Sequence, residues 1–489
     1  MFGRLALLLL FCIFAPATFA TPVSVNAKEQ GQGFAFPANG ICHILVPLHV
    51  LGIDANGAAP KSVEAKATVN RALTRVLAPP ERRAWIFGDL DVGLLVASDL
   101  ALCQVDERQT PPSLTPQIVY RNASGTIEYL PIKLLGQSGT EVLVSDATGG
   151  CSLLQGRSGS IVLGDGNRIL GMLKATPDCK TGHVVDFGRV NTALSKVEFG
   201  LRVPLHPLSY ELMKAAREAN EPLFNSLLSE IGDANTRDGS GSSALQSIAG
   251  SKFSLFQSAT GMEQPRPGET YDGLLKRACS IWIETRLRMA RTLLARGARV
   301  DGDGGLSWTP LMTAVSYESC DDTAMVQLLL DSGAAPNHIY RSDLDGAIYL
   351  HTPLMLAVDS GLPATVAMLL KKGADPNRRS DSFSGKNVTP LMAVALDDSP
   401  SDTKGFHDSS ASCWDTDNVK VAKFRLLATV SDLGTRVDSS DYRTKEFVNL
   451  TVEGILKQRL GGGCNNSKCD GTGRTGPGRC LERMLGALH

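Results

Sequence analysis

The sequence is short of net charge, of aromatic side chains and of long apolar runs. Among its 489 residues the charges nearly cancel, to −1 at pH 7, and aromatic side chains make up only 6% of the chain. Because a surface for nucleic acid or anionic lipid needs concentrated positive charge, no nucleic-acid partner is expected. After residue 20 no apolar run reaches the roughly 20 residues that cross a bilayer, so no membrane anchor is expected in the mature chain.

One apolar run does stand out, within residues 1–20. A short positive start ends at Arg4, an apolar stretch runs from Leu5 to Phe14, and small residues follow up to Ala20. This order is typical of a secretory signal peptide, and the stretch is too short for a membrane-spanning helix. We therefore predict that residues 1–20 are a signal peptide and that the mature chain, from residue 21, is exported.

Export changes how the cysteines are interpreted. Of the eleven cysteines, Cys12 falls in the predicted signal peptide and ten remain. An even number in an oxidising compartment favours disulfides over metal ligation, so neither a metal nor another cofactor is expected. Their connectivity is not encoded in the sequence, but Cys151 and Cys179 form one available pair in the N-terminal half, and Cys42 and Cys103 form another.

Two halves of the chain differ in periodicity. Residues 21–203 contain short apolar and β-branched runs separated by Gly, Pro, Asn and Asp, which predicts an all-β barrel or sandwich. One of these runs, Ile41–Leu51, is interpreted as a strand that leads to His49. Residues 204–440 show the spacing of short amphipathic helices, and residues 441–489 form a Cys- and Gly-rich tail.

Three related phrases recur in the helical half. They are WTPLMTAV at 308–315, HTPLMLAV at 351–358 and VTPLMAV at 388–394. In each, Thr is expected to cap a helix and Pro to occupy its first turn, and a Gly after each second helix is expected in the left-handed cap position. The phrases closely resemble the T-P-L-H-x-A signature of ankyrin repeats, with Met in place of His. The resemblance implies an all-α solenoid of about five degenerate repeats over 204–440 that binds a protein partner.

The N-terminal half holds the components of a serine nucleophile and its base. They lie in 31-GQGFAFPANGICHILVPLHVLG-52, 89-DLDVGLLVAS-98 and 156-GRSGS-160. A serine nucleophile needs a base to take its proton and a carboxylate to orient that base. We predict these roles for Ser158, His49 and Asp91. His43 competes with His49 because it lies in the same apolar run, and Asp89 competes with Asp91, which directly precedes an apolar strand.

These phrases resemble those of chymotrypsin-like (trypsin-like) serine proteases, with the Gly-x-Ser-Gly-Ser form closest to bacterial glutamyl endopeptidases and periplasmic Deg-type proteases. The resemblance covers about 170 residues. It implies two six-stranded β-barrels, a catalytic triad of His49, Asp91 and Ser158, and an oxyanion hole made by the backbone N–H groups of Gly156 and Ser158. It also favours a bacterial periplasm or the extracellular space as the location.

The same register gives a weak indication of specificity. Ser152 falls at the base of the family's specificity pocket, and Leu173 and Lys174 fall on its wall. A neutral base argues against cleavage after Lys or Arg. The chain departs from the family at Arg157, where Asp or Asn is usual, and at Pro47, which stands where Ala is usual and removes a donor from its strand.

The sequence thus predicts an exported serine endopeptidase that acts on proteins or peptides, with ankyrin repeats that bind a further protein partner. The alternative is a catalytically inactive, protease-like ankyrin protein that serves as a protein-binding scaffold. In the tail, Cys464, Cys469 and Cys480 are expected to form disulfides, with a zinc site as the alternative.

Overall fold

The structure of the protein is a computed structural model. The chain forms two compact units. It describes residues 21–27, 29–52, 63–69, 72–78, 85–97, 100–103, 115–138, 141–151, 153, 156–175, 178–197, 201–260, 264–302, 308–316, 320, 323–344, 347–360, 363–382, 385–396, 419–437, 449–461 and 484–488. The first unit, called the β unit below, comprises the described residues up to Ala215 together with Pro222–Ala244. The second, called the repeat unit, comprises Ala216–Glu221 and the described residues from Leu245 onward. The predicted signal peptide and the three tail cysteines lie outside the described residues.

The β unit begins with a seven-stranded antiparallel sheet whose strand order is β5-β4-β1-β2-β3-β7-β6. Its elements are β1 (Thr21–Asn26), β2 (Gln30–Ala38), β3 (Ile41–Pro47), α1 (Leu48–Leu51), β4 (Val63–Val69), β5 (Ala72–Ala78), β6 (Trp85–Phe87) and β7 (Val92–Val96). A six-stranded barrel was expected here. The strands form a seven-stranded sheet instead, and a second closed barrel is not confirmed. The strands β4 and β5 were not anticipated from the sequence.

The expected strand over Ile41–Leu51 is wrong in its second half. The strand ends at Pro47, which is paired with Val92, and Leu48–Leu51 forms one helical turn that carries His49. Proline has no N–H with which to continue the ladder, and the next donor, the N–H of Leu48, bonds instead to the carbonyl oxygen of Asp91 at 3.1 Å. The change of direction places His49 beside the segment that carries Asp91.

The second part of the β unit is a closed barrel of six strands in the order β10-β13-β12-β11-β8-β9. These are β8 (Gln117–Arg121), β9 (Ile127–Ser138), β10 (Glu141–Asp146), β11 (Ile161–Leu163), β12 (Ile169–Ala175) and β13 (Thr181–Asp186), followed by helices α2 (Phe187–Val197), α3 (Ser209–Arg217) and α4 (Glu221–Ile231). The predicted antiparallel barrel is therefore present in this part of the chain.

The sheet and the barrel share a hydrophobic core. Side chains alternate across a strand, so Val162 of β11 points into the barrel while Ile161 packs toward the sheet. There Ile161 joins a cluster with Phe34 and Leu94 from the sheet and Met172 from β12. This shared core holds the segment that carries Ser158, which directly precedes β11, against the strands that flank His49 and Asp91.

The described part of the repeat unit is built of two hairpins and of helices that are short except for α7, which has 25 residues. Its elements are α5 (Ala244–Ala249), α6 (Phe253–Thr260), α7 (Tyr271–Ala295), α8 (Pro310–Ser316), α9 (Ala324–Asp331), β14 (Tyr340–Leu344), β15 (Ala347–His351), α10 (Pro353–Ser360), α11 (Pro363–Lys371), β16 (Ser380–Ser382), β17 (Gly385–Val388), α12 (Pro390–Leu396), α13 (Val419–Ala428) and α14 (Val452–Gly461). Helix α10 packs against both α8 and α12, as stacked repeats require. Among the described helices, none has the length and apolar character needed to cross a bilayer.

The three recurring phrases form the same cap three times. The hydroxyls of Thr309, Thr352 and Thr389 accept from the N–H three residues later, at 3.2, 3.2 and 3.3 Å. Each following proline begins its helix, which confirms the local prediction. The glycines that follow the second helices are left-handed, with φ of +83°, +92° and +88° at residues 297, 333 and 373.

A ladder that the sequence did not reveal links successive repeats. The side-chain oxygens of Asp301, Asn337 and Asn377 each accept from a backbone N–H one repeat later, at 3.1, 2.7 and 2.6 Å. These bonds connect the loops of neighbouring repeats. The recurring phrases of the same unit carry methionine where the family has histidine. Met312, Met355 and Met392 are themselves fully buried.

Three disulfides join described cysteines. The structure pairs Cys42 with Cys103 and Cys151 with Cys179, the pairs considered from the sequence. A third bond, Cys279 to Cys320, ties helix α7 to the residues ahead of α9 and was not anticipated.

Candidate active site

His49 and Asp91 lie in direct contact. The Nδ1 atom of His49 is 2.7 Å from Oδ2 of Asp91, although the two residues are 42 positions apart. The histidine side chain keeps 35% of its surface exposed and the carboxylate keeps 19%. With Nδ1 held by the carboxylate, the neutral ring carries its proton on that atom and leaves Nε2 free to accept one.

The backbone around Asp91 holds the carboxylate in place. A 3₁₀ turn over Gly88–Leu90 ends at Asp91, whose φ of +54° is left-handed and whose N–H donates to the carbonyl oxygen of Gly88 at 3.0 Å. Its own carbonyl oxygen accepts from Leu48, the neighbour of His49, at 3.1 Å. The pair is therefore joined once through side chains and once through the backbone, and a left-handed non-glycine residue of this kind is common at functional sites.

Ser158 lies on a tight turn between two left-handed glycines, Gly156 (φ +88°) and Gly159 (φ +93°). The carbonyl oxygen of Ser158 accepts from the N–H of Gln32 at 2.7 Å, and the N–H of Gly159 donates to Leu173 at 2.6 Å. A Cβ on Gly159 would lie only 1.8 Å from the carbonyl oxygen of Gln32, so only glycine fits this position.

The serine turn and the helical turn of His49 meet across β2. A Cβ on Gly31 would lie 2.7 Å from Cγ2 of Val50 and 3.0 Å from the carbonyl oxygen of Ser158, so both segments border this one glycine. Among the described residues, no hydrogen bond joins Nε2 of His49 to Oγ of Ser158. Such contacts are often long in proteins without substrate and tighten when substrate binds.

The two N–H groups predicted for the oxyanion hole carry no partner among the described residues. None of the hydrogen bonds in that part of the chain uses the N–H of Gly156 or of Ser158, whereas the next two donors, on Gly159 and Ser160, are both engaged. An oxyanion hole requires backbone N–H groups that are free to bind the oxyanion, so this finding is compatible with the prediction.

Two of the three predicted pocket residues are described, and the pocket itself stays a prediction. Ser152 lies outside the described residues. Leu173 is fully buried inside the barrel with Val144 and Val184.

Lys174 is paired instead of being a free charge. Its Nζ atom lies 3.2 Å from Oε1 of Glu141, and Nδ1 of His183 lies 2.7 Å from Oε2 of the same carboxylate. Burial acts to raise the pKa of Glu141, but the hydrogen bonds from His183 and Lys174 outweigh it and hold that pKa below its usual value.

The two competing residues occupy other places. His43 is buried on β3 and stacks on Phe36, with ring centroids 5.7 Å apart, and burial lowers its pKa. Asp89 is exposed in the 3₁₀ turn that precedes Asp91. Among the hydrogen bonds of the described residues, none joins His43 or Asp89 to His49, Asp91 or Ser158.

Sequence reasoning missed Gln32, which connects three segments of the site. Its N–H holds the serine turn, and its side-chain amide exchanges two hydrogen bonds, of 2.9 and 3.0 Å, with the backbone of Arg121 on β8. Gln32 thus ties the sheet, the barrel and Ser158 together. Its position between Gly31 and Gly33 was the only available signal, since both glycines allow close approach of other backbone.

Comparison with known proteins identifies one part of the chain. The family model of ankyrin repeats, in three copies, matches residues 275–380, within the repeat unit. The chain therefore contains ankyrin repeats, which supports protein binding. No curated protein matches the chain. The family match lies outside the segments that carry His49, Asp91 and Ser158.

Proposed function

We propose that the protein is an exported serine endopeptidase whose ankyrin repeats bind a protein partner. One observation carries the proposal: Nδ1 of His49 is paired with Asp91, and the helical turn of His49 borders the same glycine as a serine turn whose N–H groups at Gly156 and Ser158 have no partner among the described residues. A partly exposed histidine held by a carboxylate beside such a turn is the arrangement expected of a general base.

The reaction is acyl transfer to Ser158. Nε2 of His49 takes the hydroxyl proton as Oγ bonds to the peptide carbonyl carbon, and Asp91 stabilises the imidazolium. The N–H groups of Gly156 and Ser158 bind the oxyanion. His49 then gives its proton to the departing amine as the C–N bond breaks, and water, deprotonated by His49, releases the acyl group and restores the serine.

Covalent labelling of the wild type and of three variants tests this function. A fluorophosphonate probe is expected to label the purified mature protein, to fail with Ser158→Ala, and to react much more slowly with His49→Ala. Ser254→Ala, at an exposed serine of the repeat unit, is the matched control and is expected to label like the wild type. Absence of label on the wild type, together with no cleavage of a casein substrate, would contradict the proposal.

Export is part of the same proposal. Expression of the full chain in a Gram-negative host is expected to give a periplasmic or secreted product whose N-terminus begins near residue 21. Recovery of an uncleaved chain from the cytosol would count against it.

A binding scaffold is the second candidate, and two observations favour it. Ankyrin repeats bind proteins without chemistry of their own, and no hydrogen bond among the described residues links His49 to Ser158. If the wild type takes no label yet still captures the same partner as Ser158→Ala, the scaffold function holds.

A further inference from the structure

Arg157, directly before Ser158, is packed against the barrel. Its guanidinium carbon lies 4.2 Å from the centre of the Tyr120 ring, and its Nη2 donates to the Tyr120 hydroxyl at 3.1 Å. Its Nη1 atom is buried and finds no hydrogen-bond acceptor among the described residues. A surface arginine would be hydrated at both nitrogens, so this side chain is held in place by its contact with the ring.

Tyr120 is itself fixed by the neighbouring strand. Tyr120 on β8 pairs directly with Glu128 on β9, and its hydroxyl forms a very short hydrogen bond with the Glu128 carboxylate. Asn122 donates to the other carboxylate oxygen of Glu128 at 2.7 Å. The series of side-chain contacts Arg157–Tyr120–Glu128, called the arginine clamp below, therefore ends at Glu128 on the β8–β9 hairpin.

The clamp supplies a contact on the side of the serine turn where the described residues provide no backbone hydrogen bond to Gly156 or Ser158. Behind Ser158, the turn is fixed by Gln32 and Leu173 through backbone hydrogen bonds at 2.7 and 2.6 Å. Ahead of it, the N–H groups of Gly156 and Ser158 have no partner among the described residues. Arg157 lies between those two donors. Its Cα joins the peptide plane that carries the N–H of Ser158, so the contact of its side chain with Tyr120 restrains that plane.

We propose that Arg157 is a positioning residue that, through Tyr120, orients the N–H group of Ser158 toward the oxyanion. This inference rests on the proposed function. An arginine in place of the usual acidic or amide residue then does not distort the turn, because its side chain leaves the site and packs on the barrel.

Enzyme kinetics with a small ester substrate tests the clamp. Arg157→Ala is expected to lower kcat about tenfold to a hundredfold with KM nearly unchanged, since misaligning a donor costs less than the 10²–10³ of removing one. Arg157→Lys, which keeps the charge over the ring, is expected to recover part of kcat, and Tyr120→Phe, which keeps the ring, to lose less than Tyr120→Ala. Arg168→Ala, at an exposed arginine between β11 and β12, is expected to match the wild type.

A second measurement separates this inference from the proposed function. Amide hydrogen exchange of a peptide covering 156–160 is expected to quicken in Arg157→Ala and Tyr120→Ala, while urea unfolding of the β unit changes little. If the wild type takes no fluorophosphonate label, the endopeptidase proposal fails, and exchange alone decides the clamp. Unchanged exchange and unchanged kcat in Arg157→Ala overturn the clamp.

Discussion

The two units position their important residues in opposite ways. In the β unit, each key contact occurs once and joins distant segments: His49 with Asp91 across 42 positions, and Gln32 with Arg121 across 89. In the repeat unit, the same short contact recurs, with three threonine caps that each span three positions. If one of these contacts is lost in the β unit, no equivalent contact remains. If one threonine cap is lost in the repeat unit, two equivalent caps remain.

This difference predicts where single substitutions act. Repeat arrays gain stability from local units and their nearest neighbours, so damage in one repeat stays modest. In a site assembled from far-apart segments, one altered side chain can change the geometry of all the others. Single substitutions in each unit test this difference.

The largest effect is expected for Asp91→Asn. Asparagine tolerates the left-handed backbone found at Asp91, so the fold should survive. Its amide would present a donor to Nδ1 of His49 and favour the wrong tautomer, and kcat is expected to fall by about 10⁴. Ester hydrolysis by the purified variants measures the effect.

Asp89→Asn is the matched control for that experiment. Asp89 is exposed one turn away, and its replacement is expected to leave kcat within about twofold of the wild type because surface charges contribute little. Equal losses in both variants would show that the 3₁₀ turn as a whole, and not the contact with His49, is what matters.

A glycine pair compares the units at the same backbone conformation. Gly159 and Gly373 have φ of +93° and +88°, but a Cβ on Gly159 would meet the Gln32 carbonyl oxygen at 1.8 Å, whereas nothing lies within 4 Å of one on Gly373. Gly373→Ala is expected to cost about 1 kcal/mol of unfolding free energy, the conformational penalty alone. Gly159→Ala is expected to cost about 4 kcal/mol, because the backbone must also move.

Urea unfolding followed separately in each unit measures both costs. Gly156→Ala is a further control, since this residue is left-handed at φ +88° in the same serine turn but has open space around it. If it destabilises the β unit as much as Gly159→Ala, the penalty comes from the conformation and not from the close approach to Gln32.

The sequence predicts the repeat unit better than the β unit, because the contacts of the repeat unit are local and those of the β unit are long-range. The threonine caps and left-handed glycines depend on residues a few positions apart, so a local phrase is enough to predict them. His49 and Asp91 were predicted only because their phrases resemble those of a known family. Contacts such as Gln32 with Arg121 depend on how a sheet packs on a barrel, which no local pattern encodes.

Two errors show what local patterns miss. The strands Val63–Val69 and Ala72–Ala78 mix alanine and charged residues, and pairing with each other and with β1 overrides that weak preference. The helical turn at Leu48–Leu51 follows an apolar, β-branched run that favours a strand. Pro47 ends that strand, and the bond from Leu48 to Asp91 turns the chain.

Acid is expected to destabilise the β unit through His206. Burial lowers the pKa of His206 to about 4, against the opposing effects of the Gly166 backbone and the Asp233 carboxylate. Because the folded pKa lies below the unfolded value, the unfolded chain binds the extra proton first, and stability falls as the pH drops from about 6.5 toward 4. The loss is about 2 to 3 kcal/mol at pH 4.5.

Urea midpoints of the β unit at pH 7 and pH 4.5 check this effect. His206→Gln, which cannot gain a proton, is expected to reduce the difference between the two midpoints even if it lowers both. Burial also lowers the pKa of His43, so part of the acid sensitivity remains in that variant. An unchanged difference would exclude His206 as its source.

The smallest effect is expected at a single cap. In Thr352→Ala, the N–H of Met355 loses the acceptor that it finds at 3.2 Å, and the repeat unit should lose about 1 kcal/mol. Thr352→Ser keeps the acceptor and should lose less. Because the equivalent caps at Thr309 and Thr389 remain, the loss should be confined to one repeat, and fluorophosphonate labelling of Ser158 should not change.

Urea unfolding of the repeat unit measures the loss of stability in Thr352→Ala, and the rate of fluorophosphonate labelling shows whether Ser158 is affected. A slower labelling rate in Thr352→Ala would mean that a cap in the repeats acts on the serine turn, and the contrast between a local unit and a once-assembled site would no longer hold.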